Sequence, residues 1–336
     1  MQPRNASGPQ AIPASPARES WFRRLDVGAM QQIALVAVCL LLAIVMQLNF
    51  PRFLSGPNLA VMFGNFIPEA VMALGMTIIM ITGGIDISVG ATLQFSAIVA
   101  ALLLRAGAPT PAAVAGALAA AGLVGFLNGS LTNLFKVHPF IVTMAMMLTL
   151  RGVDLVITGG TSISNLPESF TFLGQGEIFG VRVSMIVFVV LALLIGYALR
   201  NSRYLQQAYF IGGNRRAARM SGVKVERFLV VAFLLNGLLA GIAGLIVCAQ
   251  YGAASVSYGQ NAELRVIAAT AIGGTSFSGG SGTITGTVLG VIFLAMIYNA
   301  FNMTGINTYW QDVAIGVMLL AAVFLGEVLK RRRIAR

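Results

Sequence analysis

Charge is what this chain lacks most. Asp, Glu, Lys and Arg make up 10% of its 336 residues, against roughly 25% in soluble domains, while apolar residues reach 57%. That balance excludes a soluble enzyme or binding module and predicts an all-α, polytopic membrane protein. Both cysteines, Cys39 and Cys248, fall in apolar runs, so they read as buried small hydrophobes and not as a disulfide or metal site. The only histidine is His138, and the only lysines are Lys136, Lys224 and Lys330. No lysine completes a GxxxxGK[ST] phosphate loop, so the chain cannot bind ATP in that way. It is read as a non-enzyme without a cofactor of its own, with any ATP held by a partner.

The formal charge of +11 would suggest nucleic acid in a soluble protein. Here the basic residues gather where positive flanks are retained on the cytoplasmic side. Arg18, Arg23 and Arg24 precede the first apolar run; Arg200, Arg203, Arg215, Arg216, Arg219, Lys224 and Arg227 crowd one loop; Lys330, Arg331, Arg332, Arg333 and Arg336 close the chain. Membrane orientation accounts for them, and no nucleic-acid partner is expected. Residues 1–30, rich in Pro, Ser and Ala, predict a flexible cytoplasmic tail. NFPRF follows the first apolar run where a secretory leader would carry a small-residue cleavage site, so that run is read as a retained span.

About 20 apolar residues cross a hydrocarbon core of about 30 Å. Ten runs are read as spans: Gln31–Asn49, Leu59–Thr82, Ser88–Leu104, Ala112–Phe135, Pro139–Thr158, Val183–Leu199, Phe228–Gln250, Leu264–Gly274, Ile284–Phe301 and Val313–Val328. The eighth crosses alone only if neighbouring polar residues continue it. Six spans before the basic loop and four after it put both termini in the cytoplasm of a plasma (inner) membrane protein surrounded by lipid. Residues 31–329 then form the transmembrane domain, 211–227 a cytoplasmic loop and 330–336 a basic cytoplasmic tail. The Lys- and Arg-free loop Gly159–Gly180 falls outside.

Two glycine-rich stretches interrupt the apolar pattern. GGIDISVG at Gly83–Gly90 aligns with GGTSFSGG at Gly273–Gly280, each between apolar runs. Such paired interruptions point to a transport pathway. Glycines permit a helix break, and Ser88, Thr275, Ser276 and Ser278 can bond the freed backbone. Asp86 in the first stretch costs at least ~2.5 kcal/mol at membrane depth unless hydrated or paired. Tight cytoplasmic turns are the other reading of both stretches, and Asp86 either shapes the break or touches the substrate.

IGGNRRAARMSGVKVER, Ile211–Arg227, contains a short helix signal: Asn214 as N-cap, good formers over Arg215–Met220, small Ala217 and Ala218, then Gly222 as a stop. An ordinary positive-inside loop would explain its charge but not the cap. With GGIDISVG, HPFIVTMAMMLTLRG (His138–Gly152), GGNRRAARMSGVKVER (Gly212–Arg227) and AIGGTSFSGGSGTITGT (Ala271–Thr287), the chain resembles the permease subunit of ribose-type sugar ABC importers from about Ile33 to Val328. The resemblance implies a second permease copy or paralogue, an ABC ATPase subunit and a periplasmic sugar-binding protein. It also implies that Ala217, Ala218 and Gly222 mark the ATPase-coupling helix, with Asn214, Arg215, Arg216, Arg219 and Ser221 around them. Arg216 stands where relatives often have Glu, Arg265 where an acid is expected, and Tyr298-Asn299-Ala300 where Asn-Gly is commoner.

Arg151 and Asp154, three apart on one predicted helix, can pair. Glu69, after Pro68 early in its span, suits a helix N-terminus. Glu263 and Arg265 can pair with another helix, and His138 lies at a span boundary. For a sugar pathway the candidates are Asp86, Ser88, Gln94, Phe95, Asn128, Asn236, Thr275, Ser278, Asn299 and Gln311, since amides meet hydroxyls and aromatic faces meet the ring; in-membrane amides are also helix contacts. The expected function is inward movement of a pentose, hexose or polyol, energised by a separate ATPase. The rivals are a permease of the same superfamily for branched-chain amino acids or nucleosides, an ion-coupled secondary transporter with Asp86 as its coupling site, and a structural scaffold.

Overall fold

The computed structural model describes residues 27–307 and 309–334. Arg18, Arg23, Arg24 and Arg336, used above to orient the chain, lie outside them. Thirteen helices and one two-stranded hairpin follow in order. They are α1 (Val27–Asn49), α2 (Gly56–Ile81), α3 (Val89–Arg105), α4 (Thr110–Phe135), α5 (Pro139–Thr158), α6 (Glu168–Gln175), β1 (Glu177–Ile178), β2 (Val181–Arg182) and α7 (Val183–Asn201). Then come α8 (Arg203–Gly213), α9 (Arg215–Met220), α10 (Val225–Tyr251), α11 (Ala262–Ile272), α12 (Ile284–Thr304) and α13 (Tyr309–Ile334). Every apolar run coincides with a helix. The boundaries of the basic segments differ: Ile211–Gly213 close α8, and residues 330–334 continue α13.

Seven of these helices, α1, α2, α4, α5, α7, α10 and α12, are long and apolar enough to cross a membrane, fewer than the ten expected. Three runs account for the difference. α3 has 17 residues and α11 has 11, while α13 runs over Tyr309–Ile334 with its side chains described continuously only to Ala322. At 1.5 Å per residue α11 rises only ~16 Å, about half a hydrocarbon core.

Burial sorts the helices into a centre and a rim. The apolar window of α2 is 83% buried and that of α10 61%, whereas α1 and α5 reach 17% and α7 11%. The rim helices turn large side chains such as Leu48, Val156 and Leu193 outward, as a lipid-facing surface requires. In the centre, close approach replaces the hydrophobic driving force that lipid does not supply. A Cβ on Gly125 of α4 would collide with the Phe233 carbonyl of α10, and one on Gly237 with the Ala121 carbonyl of α4.

Charged side chains pair between helices. Glu263 and Arg265, on successive faces at the start of α11, reach in two directions: Arg151 of α5 donates to Glu263 at 3.1 Å, and Arg265 donates to Glu69 of α2 at 3.0 Å. The expected Arg151–Asp154 pair does not form. Asp154 is fully buried and accepts from Gln94 of α3 at 2.7 Å, because α5 turns that side to α3 while Arg151 finds an acid on α11. Nor is Glu69 near a helix start: α2 begins at Gly56 and carries Pro68 in its interior, so an ion pair explains the acid and the helix dipole does not. His138 caps α5, its Nδ1 accepting from the Phe140 N–H at 3.3 Å.

Candidate functional site

Both glycine stretches are helix stops of one design. At the end of α2, Gly83 adopts φ +79°; its N–H donates to the Met80 carbonyl at 2.9 Å and that of Gly84 to Ile79 at 3.1 Å. At the end of α11, Gly274 adopts φ +95°, with Gly274 N–H to Ala271 at 2.9 Å and Thr275 N–H to Thr270 at 3.1 Å. This is the Schellman pattern, which a left-handed glycine makes sterically cheap. The equivalence is one residue away from the sequence alignment: Gly83 corresponds to Gly274, not Gly273. Residue identity favoured matching the first glycine of each doublet, but the left-handed position fixes the register.

Beyond its stop the first break runs back into the bundle. The Asp86 carboxylate accepts from the Ser88 N–H at 2.9 Å, the Ser88 hydroxyl at 2.7 Å and the Asn236 amide at 2.8 Å. Asn128 of α4 then donates to the Ser88 oxygen at 2.8 Å. All four side chains are buried. Asn236 is the twelfth of the 27 residues of α10, so this network sits near mid-height of a helix ~40 Å long. A superficial turn does not describe it; the carboxylate accepts three hydrogen bonds across the break.

The two breaks are bonded to each other. The Ile81 carbonyl, left open by the end of α2, accepts from the Gly280 N–H at 2.8 Å. Gly212, in the last turn of α8, lies against that bond on both sides: a Cβ there would collide with the Ile81 carbonyl oxygen and the Gly280 nitrogen. Two further contacts tie the same hairpin down. Tyr209 of α8 donates to the Gly282 carbonyl at 2.9 Å, and Arg215 of α9 to the Thr82 carbonyl at 3.4 Å. Gly212 and Tyr209 were missed by sequence reasoning, because an additional glycine beside a basic loop carries no sign of what it touches.

The short helix α9 forms as its sequence predicts. The Asn214 side chain accepts from the N–H groups of Arg216 and Ala217, each at 3.0 Å, and Gly222, at φ +85°, ends the helix. Its two alanines part company, since successive helical residues point about 100° apart. Ala218 is buried inside this chain, whereas Ala217 and Arg216 face outward. Met220, three positions beyond Ala217, is 83% exposed and completes that face; it was overlooked as one of many methionines. Arg219 and Ser221 are also exposed, and Arg219 pairs with Glu226 at 2.6 Å on the surface. Burial, and then the like charge of Arg219, lowers the Arg215 pKa from its ordinary value, but a guanidinium remains protonated at physiological pH.

The ten pathway candidates fall in several places among the described residues. Asp86, Ser88, Asn128 and Asn236 form the network above, and Gln94 pairs with Asp154. Phe95 packs against Ala91, Val124 and Leu150. Thr275 is buried in the second break, where Ser278 is exposed. Asn299 of α12 exchanges hydrogen bonds with Asn58, and Gln311 of α13 donates to Asn302 at 3.0 Å.

The family described as "Branched-chain amino acid transport system / permease component" matches residues 58–323. The chain belongs to this permease family. It is 36% identical over 302 residues to the ribose import permease protein of Escherichia coli (strain K12), covering 89% of this chain and 94% of that one. Against the ribose import permease protein of Bacillus subtilis (strain 168) the identity and both coverages are the same. The D-allose transport system permease protein of Escherichia coli (strain K12) is 33% identical over 295 residues, covering 88% and 90%. No solved structure matches the chain. The ribose-type resemblance read from the motifs therefore holds, and the matched span takes in both breaks and the α8–α9 hairpin of a multi-pass permease.

Proposed function

We propose that the chain is the membrane-spanning subunit of an ATP-driven importer that carries a small sugar, a pentose, hexose or polyol, into the cytoplasm. A separate ABC ATPase docks on the outward face of α9, a periplasmic sugar-binding protein delivers substrate at the opposite end, and a second permease copy or paralogue completes the path. Both termini face the cytoplasm of the inner membrane. The observation that carries this reading is the Gly280–Ile81 hydrogen bond with Gly212 packed on it. It connects the hairpin that an ATPase would push to both interruptions of the transmembrane helices. Nucleotide binding does work here only by favouring one arrangement of that junction over another. This chain makes and breaks no covalent bond. Similarity to ribose and allose permeases favours a sugar over the amino acids of the family description.

Docking on α9 is tested by co-purification of the permease with its cognate ATPase. Ala217→Trp and Met220→Asp, both on the exposed face, should abolish association while leaving the permease folded. Undiminished association in both would remove α9 from the interface. A smaller effect is expected at the cap: Asn214→Ala should weaken α9 by about 1 kcal/mol and Asn214→Asp should preserve it. Measured as ATPase affinity, that is a loss of several-fold for alanine only.

A further inference from the structure

At the end of the bundle opposite α9, between the first half of α2 and the second half of α12, lies a cavity of about 360 Å³. Four amide side chains, Asn58, Asn65, Asn299 and Asn302, line it together with the rings of Phe66 and Tyr298. The two rings meet edge to face, centroids 5.1 Å apart at 69°. Asn58 and Asn299 bond reciprocally at 3.1 Å, Asn65 accepts from Gln250 at 3.3 Å, and Asn302 accepts from Gln311 at 3.0 Å. Each amide has four hydrogen-bonding positions and keeps some of them free. The Tyr298 hydroxyl is buried, with the Arg265 guanidinium beside it.

A single amide between transmembrane helices is an ordinary contact, but here four converge on one cavity. No Asp, Glu, Lys or Arg belongs to the lining. An amino-acid zwitterion placed there would bury an ammonium and a carboxylate without counter-charges. A neutral ring bearing hydroxyls fits instead, its hydroxyls meeting the amides while its C–H face lies on the aromatic rings. The volume falls in the range of ligand cavities, about 300–1,000 Å³. A second cavity of about 300 Å³ shares Val61 and Asn65 and continues to Gln175, Glu177 and Arg182, in the loop region between α5 and α7, so charge enters the lining only at the loop end. The polar lining thus extends from the loops at that end of the bundle to the helix interior.

We infer that the cavity between α2 and α12 is a transit site for a monosaccharide or polyol, entered from the loop end; this rests on the sugar-import reading above. Saturation-transfer NMR on the full-length permease in lipid nanodiscs tests it, with D-ribose and D-allose as probes and L-leucine as the zwitterionic control. Either sugar should show transfer and leucine none. Asn302→Ala and the Asn58→Ala, Asn299→Ala double variant should each cut the sugar signal at least threefold. Phe66→Leu should do the same while keeping an apolar side chain in place, because it removes a ring face on which the sugar lies. Sugar signals that are absent or unchanged in all three variants, or a leucine signal equal to that of the sugars, would overturn the site. A wild-type complex with its ATPase and binding protein that imports no sugar would overturn the reading beneath it.

Discussion

Gly212→Ala should leave a permease that inserts and folds but has lost ATP-driven transport by more than tenfold. The added methyl group has nowhere to go, since backbone atoms of both breaks occupy its position. Relieving the collision means separating Gly280 from Ile81, which forfeits a hydrogen bond of about 1 kcal/mol, or shifting α8, at about 1–3 kcal/mol for overpacking. A bias of a few kcal/mol against the joined arrangement changes its population 30-fold or more. Gly213 supplies the control. It is the next residue of the same helix, it is exposed, and a Cβ there meets nothing within 4 Å. Gly213→Ala should therefore be neutral or slightly stabilising, as helical Gly→Ala usually is. Equal uptake by the two variants would show that the junction transmits nothing.

Asp86 should tolerate loss of its charge but not loss of its oxygens. Asp86→Ala strands the Ser88 N–H, the Ser88 hydroxyl and the Asn236 amide, three buried donors whose unmet bonds cost about 3 kcal/mol or more together; release from burying a charge offsets part of this. The expected result is a lower melting temperature and uptake reduced at least tenfold. Asp86→Asn retains one oxygen for Ser88, and Asn236, whose own oxygen is buried without a partner among the described residues, can turn it toward the new amide. Asparagine should therefore keep ATP-driven uptake within about threefold of the wild type. An ion-coupled transporter predicts the reverse ordering of consequences: asparagine would uncouple transport because the charge itself is the coupling group. Thermal melts and uptake measured on both variants separate the two accounts.

Much of this was legible because the relevant forces are local. Apolar runs marked every long helix, and Asn214 and Gly222 marked the ends of α9, since capping depends on residues within one turn. What composition could not reveal was which helix faces which. Arg151 had an acid three residues away, yet its partner, Glu263, lies on another helix 112 residues further on. The half-length of α11 was visible, but its role as one of two matched helix stops was not, because the repeat is offset by one residue from the alignment of identical glycines. Ala217 and Ala218 look interchangeable in sequence, and a 100° rotation sends one outward and the other into the core. Gly212 resembles many of the other glycines until the two backbones beside it are placed. Four asparagines scattered over two apolar helices likewise become a cavity lining only when α2 meets α12.

The measurement that separates this reading from its rivals is sugar uptake into vesicles containing the permease, its cognate ATPase and its binding protein. Uptake should require ATP inside the compartment that the α9 face contacts, and should vanish when the ATPase, the binding protein or ATP is omitted. Sugar accumulation by the permease alone, driven by a proton gradient, would contradict it.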